Sequence, residues 1–183
     1  MTRLYVDSKQ GILIEEGDGY RYQTTCAIGR KGIVSAQEKR EGDGKTPLGC
    51  WPIRSALLRP DRLSHYSFDS KALPFKLEKI KIPWRWVRPS DGWCDDSDHP
   101  SYNQPVTLPF SASAETLWRE DGLYDIIITL GYNDSPVYKG RGSAIFLHCS
   151  IPDRQTAGCV AVMQDFLQNL LLRLQLGDSL TIF

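Results

Sequence analysis

Alternating bulky and polar residues in the first third of the chain predict short antiparallel strands. Residues 3–6 and 12–14 are apolar segments joined by a turn at 7–11, which predicts a β-hairpin. After a Gly-Asp-Gly turn, residues 20–26 alternate between bulky and polar side chains, as a strand with one buried face does. The charged segment 35–45 has no periodicity and is interpreted as a loop.

Apolar patterning in the last third predicts buried strands and a helix. Residues 124–130 are rich in β-branched side chains, and residues 143–148 form a continuous apolar run typical of a central strand. Residues 163–175 carry apolar side chains at helical spacing, namely Met163, Phe166, Leu167, Leu170, Leu171 and Leu174. Residues 179–183 predict a final strand, so the pattern favours a mainly β fold with one C-terminal amphipathic helix.

Residues 74–104 form an unusual segment that is rich in tryptophan, proline and aspartate. The prolines exclude a long helix there, and a long irregular segment inside a compact domain is often functional. A surface loop held by its aromatic residues is the alternative. Its acidic cluster lacks the central Gly and terminal Glu of an EF-hand loop, so it is interpreted as a solvated loop.

Length and charge limit the function classes. The chain has 183 residues, which favours one domain over residues 1–183. Lys plus Arg and Asp plus Glu both number 22, so the formal net charge is zero and argues against nucleic-acid or membrane partners. The longest apolar run near the N-terminus is residues 12–14, too short for a secretory signal. We therefore expect a cytoplasmic protein, or a periplasmic one if this N-terminus is truncated.

Five cysteines without a C-x-x-C pair predict reduced, mostly structural thiols. A zinc site is the alternative for some of them. It would combine Cys94 and His99 with His148 or Cys159, although these residues lack the spacing of a known zinc motif.

The run G-D-G-K-T at residues 42–46 suggests a phosphate-binding loop, but its spacing excludes one. That motif needs a glycine five residues before the Gly of G-K-T, and Lys39 stands there. Nucleotide binding is therefore not predicted.

The strongest candidate chemistry is a cysteine and histidine pair. His148 ends a predicted strand and Cys159 follows 11 residues later, so adjacent strands can bring the two side chains together. An imidazole is a suitable base for a thiol nucleophile. Cys149 is the competing nucleophile, but alternation along the strand should point it away from His148. Gly158 leaves room for a substrate and offers an unobstructed N–H, and backbone N–H groups near Cys159 are candidates for an oxyanion hole.

Three motifs in the chain match one known family. His148 is followed, after a variable stretch, by T-A-G-C-V-A at residues 156–161, and residues 39–49 end in T-P-L-G. Segments G-W-C-D-D at 92–96 and Y-N at 102–103 precede them. Over residues 26–183 the chain resembles the YkuD-type L,D-transpeptidase catalytic domain, whose signature is a His, a variable stretch and then S-H-G-C-[IV]-R, in a branch with an extra loop before the active site.

This resemblance implies a fold, a substrate and residue roles. The implied fold is a mainly β, YkuD-like mixed β-sandwich with the helix packed beside it. Cys159 matches the acylated nucleophile, His148 the general base and Gly158 the preceding glycine, while Thr156 stands at the signature Ser. The implied substrate is a peptidoglycan stem peptide or muropeptide, attacked at the carbonyl of its third residue, usually diaminopimelate, with release of terminal D-Ala. Neither a metal nor an organic cofactor is implied.

Two positions depart from the signature and change the expected recognition of the substrate. Ala157 replaces its His and Ala161 its Arg, and alanine cannot bind a carboxylate as a guanidinium does. Arg141 or Arg154 is the candidate substitute, although a surface-turn role for Arg141 is equally open. Further candidate substrate contacts are Thr156 and, in the extra loop, Asp95, Asp96 and Tyr102.

The sequence thus predicts a cysteine-dependent enzyme of peptidoglycan. Because a cytoplasmic enzyme would meet recycled fragments, we expect an L,D-carboxypeptidase that trims tetrapeptides. An exported L,D-transpeptidase that cross-links or modifies peptidoglycan is the first alternative. A non-catalytic peptidoglycan-binding module is the second, since Ala157 and Ala161 could mark a lost site.

Overall fold

The computed structural model describes residues 2–63 and 76–183, and most of the regular structure there is β-strand. The strands are β1 Arg3–Asp7, β2 Ile12–Gly17, β3 Tyr20–Ala27, β4 Ile33–Val34, β5 Thr46–Pro47, β6 Gly49–Leu58, β7 Trp84–Trp86, β8 Asp91–Cys94, β9 Pro105–Thr107, β10 Ala114–Thr116, β11 Ile126–Leu130, β12 Phe146–Cys149, β13 Val160–Val162 and β14 Ser179–Ile182. The helices are α1 Pro60–Leu63, a 3-10 helix at Leu77–Lys79 and α2 Gln164–Leu171.

Eight strands of the described chain form a closed, barrel-like sandwich. Their order is β11, β12, β13, β3, β2, β1, β14 and β6, and the ring closes because β6 also pairs with β11. The β1–β14 and β12–β13 pairs are parallel, and the other pairs of the ring are antiparallel. This mainly β, mixed arrangement is the fold class that the sequence predicts.

The first hairpin shows how local sequence sets the register of this sheet. Val6 of β1 lies opposite Leu13 of β2, and neither is exposed to solvent. Between the strands, the Asp7 carboxylate accepts hydrogen bonds from the backbone N–H groups of Lys9 and Gln10, both at 3.0 Å. Aspartate commonly stabilises turns in this way, and burial of the alternating apolar residues fixes which face of the strands points inward.

Helix α2 covers one face of the barrel and is shorter than the predicted 163–175. It packs against β11 and β12, and its buried side chains are Leu167, Leu170 and Leu171, while Leu174, also buried, lies beyond its end. Met163 does not belong to this apolar face. Its ψ angle of 140° is extended, so it caps the helix and its side chain is 56% exposed. No helix in residues 2–63 or 76–183 is long and apolar enough to cross a membrane.

The segment predicted to be irregular contains a small sheet. Residues 74–75 lie outside the described part of the chain, but β8 within 76–104 pairs with both β9 and β10. A second addition is β6, a ten-residue strand to which the sequence analysis assigns no element. It contains Pro52 and lacks strict alternation, because its two halves face different neighbours in the ring.

Strand β12 separates two apolar clusters, and this separation positions the candidate site. Leu147 and Cys149 pack into the main core with α2. Phe146 points to the other face, into a smaller cluster with Cys159 and Tyr124. Side chains that leave β12 on this second face therefore lie between the barrel and the small sheet.

Candidate active site

A cleft of about 540 Å³ lies over the second face of β12 and β13. Its volume is within the range of small-molecule and peptide sites. Six residues that the sequence singles out line it: Asp95, His148, Arg154, Thr156, Gly158 and Cys159. Side chains from the loop 35–45 and from the segment 115–124 complete the walls.

The parallel pairing of β12 and β13 brings His148 and Cys159 to the same face. His148 lies opposite Ala161, and Cys159 is two residues before Ala161, so all three side chains point into the cleft. Cys149 points the opposite way, is 2% exposed and donates its thiol proton toward the Ile126 carbonyl at 3.9 Å. The predicted orientation of the two cysteines is therefore confirmed.

The imidazole of His148 is oriented and kept neutral by its surroundings. Its Nδ1 lies 2.8 Å from the backbone oxygen of Cys149. Because a carbonyl oxygen can only accept, Nδ1 carries the proton and Nε2 is left as an acceptor. Burial, only partly offset by backbone hydrogen bonds to Cys149 and Leu123, lowers the His148 pKa to about 4. A neutral imidazole with an unprotonated Nε2 is the form that a general base requires.

The thiol of Cys159 is also neutral in this conformation. Sγ donates to the Ala144 carbonyl at 3.0 Å and accepts from the Phe146 N–H at 3.4 Å. Burial, followed by the charge of Glu115, raises the Cys159 pKa to about 12. Among the described residues, no hydrogen bond joins this thiol to the imidazole. The thiol must therefore release Ala144 before its proton can pass to His148.

Thr156 and Gly158 shape the turn that presents the nucleophile. The Thr156 hydroxyl donates to the Cys159 carbonyl at 2.7 Å and accepts from the Gly158 N–H at 3.1 Å. Two expectations are corrected by this geometry. Thr156 stabilises the turn and its hydroxyl is not free for substrate, and the Gly158 N–H is already used inside the protein, so it is not a free oxyanion donor.

Arg154 and Asp95 lie where substrate contacts were expected. The Arg154 guanidinium is half exposed at the cleft and pairs with Asp121 at 3.1 Å. Arg119 binds the same Asp121 carboxylate at 2.6 Å, and its hydrogen bond is the largest influence that lowers the Asp121 pKa to about 2. Two guanidinium groups thus share the Asp121 carboxylate. Asp95 Oδ1 is buried without a hydrogen-bond partner among the described residues.

Three other predicted substrate contacts do not face the cleft, and this corrects the sequence interpretation. Arg141 lines a separate surface depression and its guanidinium bonds to the Gln37 carbonyl. Tyr102 is 3% exposed, donates to Glu41 at 2.5 Å and accepts from the Gly142 N–H. Asp96 accepts a hydrogen bond from the Asp98 N–H and stabilises the turn that follows β8.

Several charged or polar residues of the cleft are missed by the sequence analysis: Arg30, Lys39, Glu41, Glu115, Arg119 and Tyr124. Lys39 and Glu41 stand just before the T-P-L-G motif, so that neighbourhood was the available signal. The other four reach the cleft through long-range packing, for which no local pattern exists.

The zinc alternative is not supported by the geometry around Cys94 and His99. The Cys94 thiol points to the Asp96 carbonyl and the His99 ring packs edge-on against Phe110. In residues 2–63 and 76–183, no group of three or more His, Cys, Asp or Glu side chains is arranged to hold a metal.

Comparisons with known proteins identify the family. The model of the YkuD L,D-transpeptidase catalytic domain matches residues 2–182. No curated protein matches the chain. Structural relatives include Bd1075 of Bdellovibrio bacteriovorus (19% identity, TM-score 0.48), in which this whole chain covers 47% of the other chain. The C442S mutant of the Enterococcus faecium L,D-transpeptidase (12% identity, TM-score 0.47) is covered to 49%, again by the whole of this chain.

The chain thus spans about half the length of these solved structures. The family match extends over nearly all of its residues, including β12, which carries His148, and Cys159, which immediately precedes β13. The chain belongs to the YkuD family of L,D-transpeptidase catalytic domains.

Proposed function

We propose that this protein is a cysteine-dependent acyl-transfer enzyme that hydrolyses peptidoglycan stem peptides, an L,D-carboxypeptidase that serves muropeptide recycling in the cytoplasm. The observation that carries the proposal is the placement of a neutral, oriented imidazole and a thiol on one face of β12 and β13, inside one cleft. The same observation argues against a non-catalytic binding module, since binding alone would not need both groups there.

The reaction has two stages, acylation of Cys159 and hydrolysis of the resulting thioester. The Cys159 thiol passes its proton to His148 Nε2 as Sγ bonds to the carbonyl carbon of the third stem residue, and the carbonyl π electrons move to oxygen. When this intermediate collapses, the C–N bond breaks and the amine of D-Ala takes the proton from the imidazolium. Water then attacks the thioester while His148 takes its proton, and the C–S bond breaks as Sγ regains that proton from the imidazolium and the tripeptide leaves.

Hydrolysis is favoured by the depth of the nucleophile. Cys159 is only 8% exposed at the floor of the cleft. Water reaches such an acyl-enzyme readily, whereas the amine of a second peptide must enter past the walls that hold the first. No acceptor beyond water is then required.

A transpeptidase is the second candidate, and a second groove is the observation that favours it. This groove has a volume of about 960 Å³ and follows β3 and the loop after β12. It shares Arg30, Arg154 and Gln155 with the cleft, so the two depressions adjoin. An acceptor peptide that lies there would attack the thioester with its amine.

The experiment is mass spectrometry of a stem tetrapeptide that ends in diaminopimelate–D-Ala, incubated with the protein and an excess of a different D-amino acid. We expect a tripeptide, absent with Cys159→Ala and retained with the matched control Cys149→Ala. Exchange of the terminal residue would replace hydrolysis by transpeptidation. Loss of turnover with Cys149→Ala but not with Cys159→Ala would overturn the assigned nucleophile, and an unchanged peptide with a folded wild-type protein would overturn the substrate.

The proposed cytoplasmic role needs its own test. Cell fractionation of the native, untagged protein should place it with soluble cytoplasmic markers. Recovery in the periplasm would contradict a role in recycling and favour action on the assembled wall.

A further inference from the structure

Lys39 is a buried charge beside the candidate nucleophile. It is 2% exposed to solvent, yet it lies on the cleft wall. Its Nζ donates to Asp43 Oδ1 at 2.5 Å and to the Arg40 carbonyl at 3.0 Å. Burial of an ammonium group is costly unless it is paired, so its position next to a reactive centre requires an explanation.

The fold makes room for this side chain by means of two glycines. A Cβ placed on Gly142 would lie 3.2 Å from Lys39 Cε, and one placed on Gly158 would lie 3.7 Å from Lys39 Nζ. Gly142 also has a φ of +99°, which L side chains rarely adopt. The lysine chain therefore passes Gly142 and ends beside Gly158, the residue that precedes Cys159.

The Asp43 carboxylate holds the Lys39 ammonium in place and has further hydrogen-bond partners in the backbone. It also accepts hydrogen bonds from the N–H groups of Lys45 and Arg40, both at 2.9 Å. These hydrogen bonds and the lysine lower the Asp43 pKa, although partial burial opposes them. The ion pair and these backbone hydrogen bonds therefore fix the position of Lys39 Nζ.

One donor of the ammonium remains free. An ammonium has three N–H groups, and Nζ has two partners among the described residues. The backbone donor expected for a substrate oxyanion, the Gly158 N–H, is occupied by Thr156. A positively charged donor thus lies beside Gly158, whose own N–H is already used.

The charged and titratable groups around Cys159 give Lys39 a distinct position. Burial and the Glu115 carboxylate oppose a negative charge on Sγ, whereas the Phe146 N–H and the Lys39 ammonium favour it. Tyr124, from the segment before β11, also interacts with Cys159, and His148 faces the same cleft from β12. Two of the three arginines that line the cleft, Arg119 and Arg154, are directed to Asp121.

We propose that the Lys39 ammonium is the cation that stabilises negative charge at the reactive centre, first on Cys159 Sγ and then on the oxygen of the attacked carbonyl. Only the second part of this role, the stabilisation of the carbonyl oxygen, rests on the proposed function. In the first step, the ammonium beside Gly158 stabilises the electron pair that remains on Sγ when the thiol loses its proton. In the second, the free N–H of Nζ donates to the oxyanion until the C–N bond breaks.

The test measures the thiol without any substrate. The rate of Cys159 alkylation by iodoacetamide is followed from pH 6 to pH 10 by peptide mass spectrometry, which separates Cys159 from the exposed Cys50. Lys39→Met should slow the reaction about tenfold at a given pH and move the profile to higher pH, because only the thiolate reacts. Lys39→Arg should restore most of the rate.

A double variant separates charge from folding. Lys39→Met alone leaves Asp43 unpaired, whereas Lys39→Met with Asp43→Asn removes both charges and keeps the shape. We expect the folded double variant to retain the slow, shifted profile. A wild-type profile in that variant would overturn the proposal. If Lys39 shifts the profile but wild-type protein leaves stem peptides unchanged, the thiol role stands and the proposed substrate fails.

Discussion

The ring of Tyr124 packs edge-on against the imidazole of His148, with centroids 5.1 Å apart and planes at 82°. Its hydroxyl donates to Glu115 Oε1 at 2.6 Å, and burial is the main cause that raises the Glu115 pKa. The Cys149 carbonyl fixes one side of the imidazole and the Tyr124 ring fixes its face. Two contacts of different kinds therefore define the orientation of the candidate base.

Loss of the ring should misplace the base. We expect Tyr124→Leu to lower kcat about tenfold or more, a part of the 10²–10⁴ that a positioned base contributes. Tyr124→Phe keeps the ring and should lose much less. The measurement is tripeptide formation under saturating substrate, with thermal melting to verify folding. Equal rates for wild type and Tyr124→Leu would show that the ring does not orient His148.

Burial of His148 predicts a window of acid sensitivity in stability. Its pKa is about 4 in the folded protein and about 6.5 when unfolded, so between these values the unfolded chain binds more protons. Stability should therefore fall as pH drops from 6.5 toward 4, by up to about 3 kcal/mol. Urea titrations at pH 7 and pH 4.5 measure this loss.

The matched control is His148→Gln, which cannot titrate in this range. Glu115 titrates with the opposite sign because its pKa is raised, so it makes the folded protein more stable as pH falls. The difference between wild type and His148→Gln isolates the histidine. A wild-type curve that is parallel to that of the variant would contradict a buried, neutral imidazole.

The same shift sets the acid limit of activity. Because the base works in its neutral form, kcat/KM should stay level from neutral pH down to about 5 and fall only near 4. The pH profile is measured with the tetrapeptide at concentrations well below KM. A fall centred near pH 6.5 would mean that His148 is solvated in the active enzyme.

The Thr156 hydroxyl should be worth more to stability than an ordinary surface hydroxyl. It joins the Gly158 N–H to the Cys159 carbonyl, and both partners are buried. Thr156→Val keeps the shape but leaves the N–H unpaired, so we expect a loss of about 1–3 kcal/mol in the free energy of unfolding. Thr156→Ser retains the oxygen and should lose far less. Equal destabilisation by both variants would show that the hydroxyl contributes no more to stability than the methyl group does.

The sequence predicts well what local chemistry determines. The hairpin at the start, the β12 strand and the helix follow from alternation and helical spacing, and the opposite directions of His148 and Cys149 follow from the same two-residue period. The family motifs add the pairing of His148 with Cys159. In the structure, β13 runs parallel to β12 and brings the motif that contains Cys159 beside His148.

What the sequence does not predict is set by distant contacts. Tyr102 carries a motif match, yet its hydroxyl is used by Glu41 and Gly142, residues far away in the chain. Lys39 stands in a charged loop typical of a solvated surface, and only packing between two glycines places it at Cys159. Side-chain direction in loops depends on such partners, for which one sequence contains no signal.

Substitution of Arg154 and of Arg141 should have different effects on substrate binding. Arg154 lies half exposed in the cleft and shares the Asp121 carboxylate with Arg119, so its guanidinium is available to attract a substrate carboxylate. Arg141 lies in another depression. We expect Arg154→Ala to raise KM for the tetrapeptide about 5- to 10-fold with a smaller change in kcat, because an exposed charge pair contributes about 1 kcal/mol. Arg141→Ala is the matched control and should leave KM within about twofold.

The effect of Arg154→Ala should shrink in 0.5 M salt, where exposed charges are screened. A larger rise in KM for Arg141→Ala would return Arg141 to the role that alanine at position 161 leaves open.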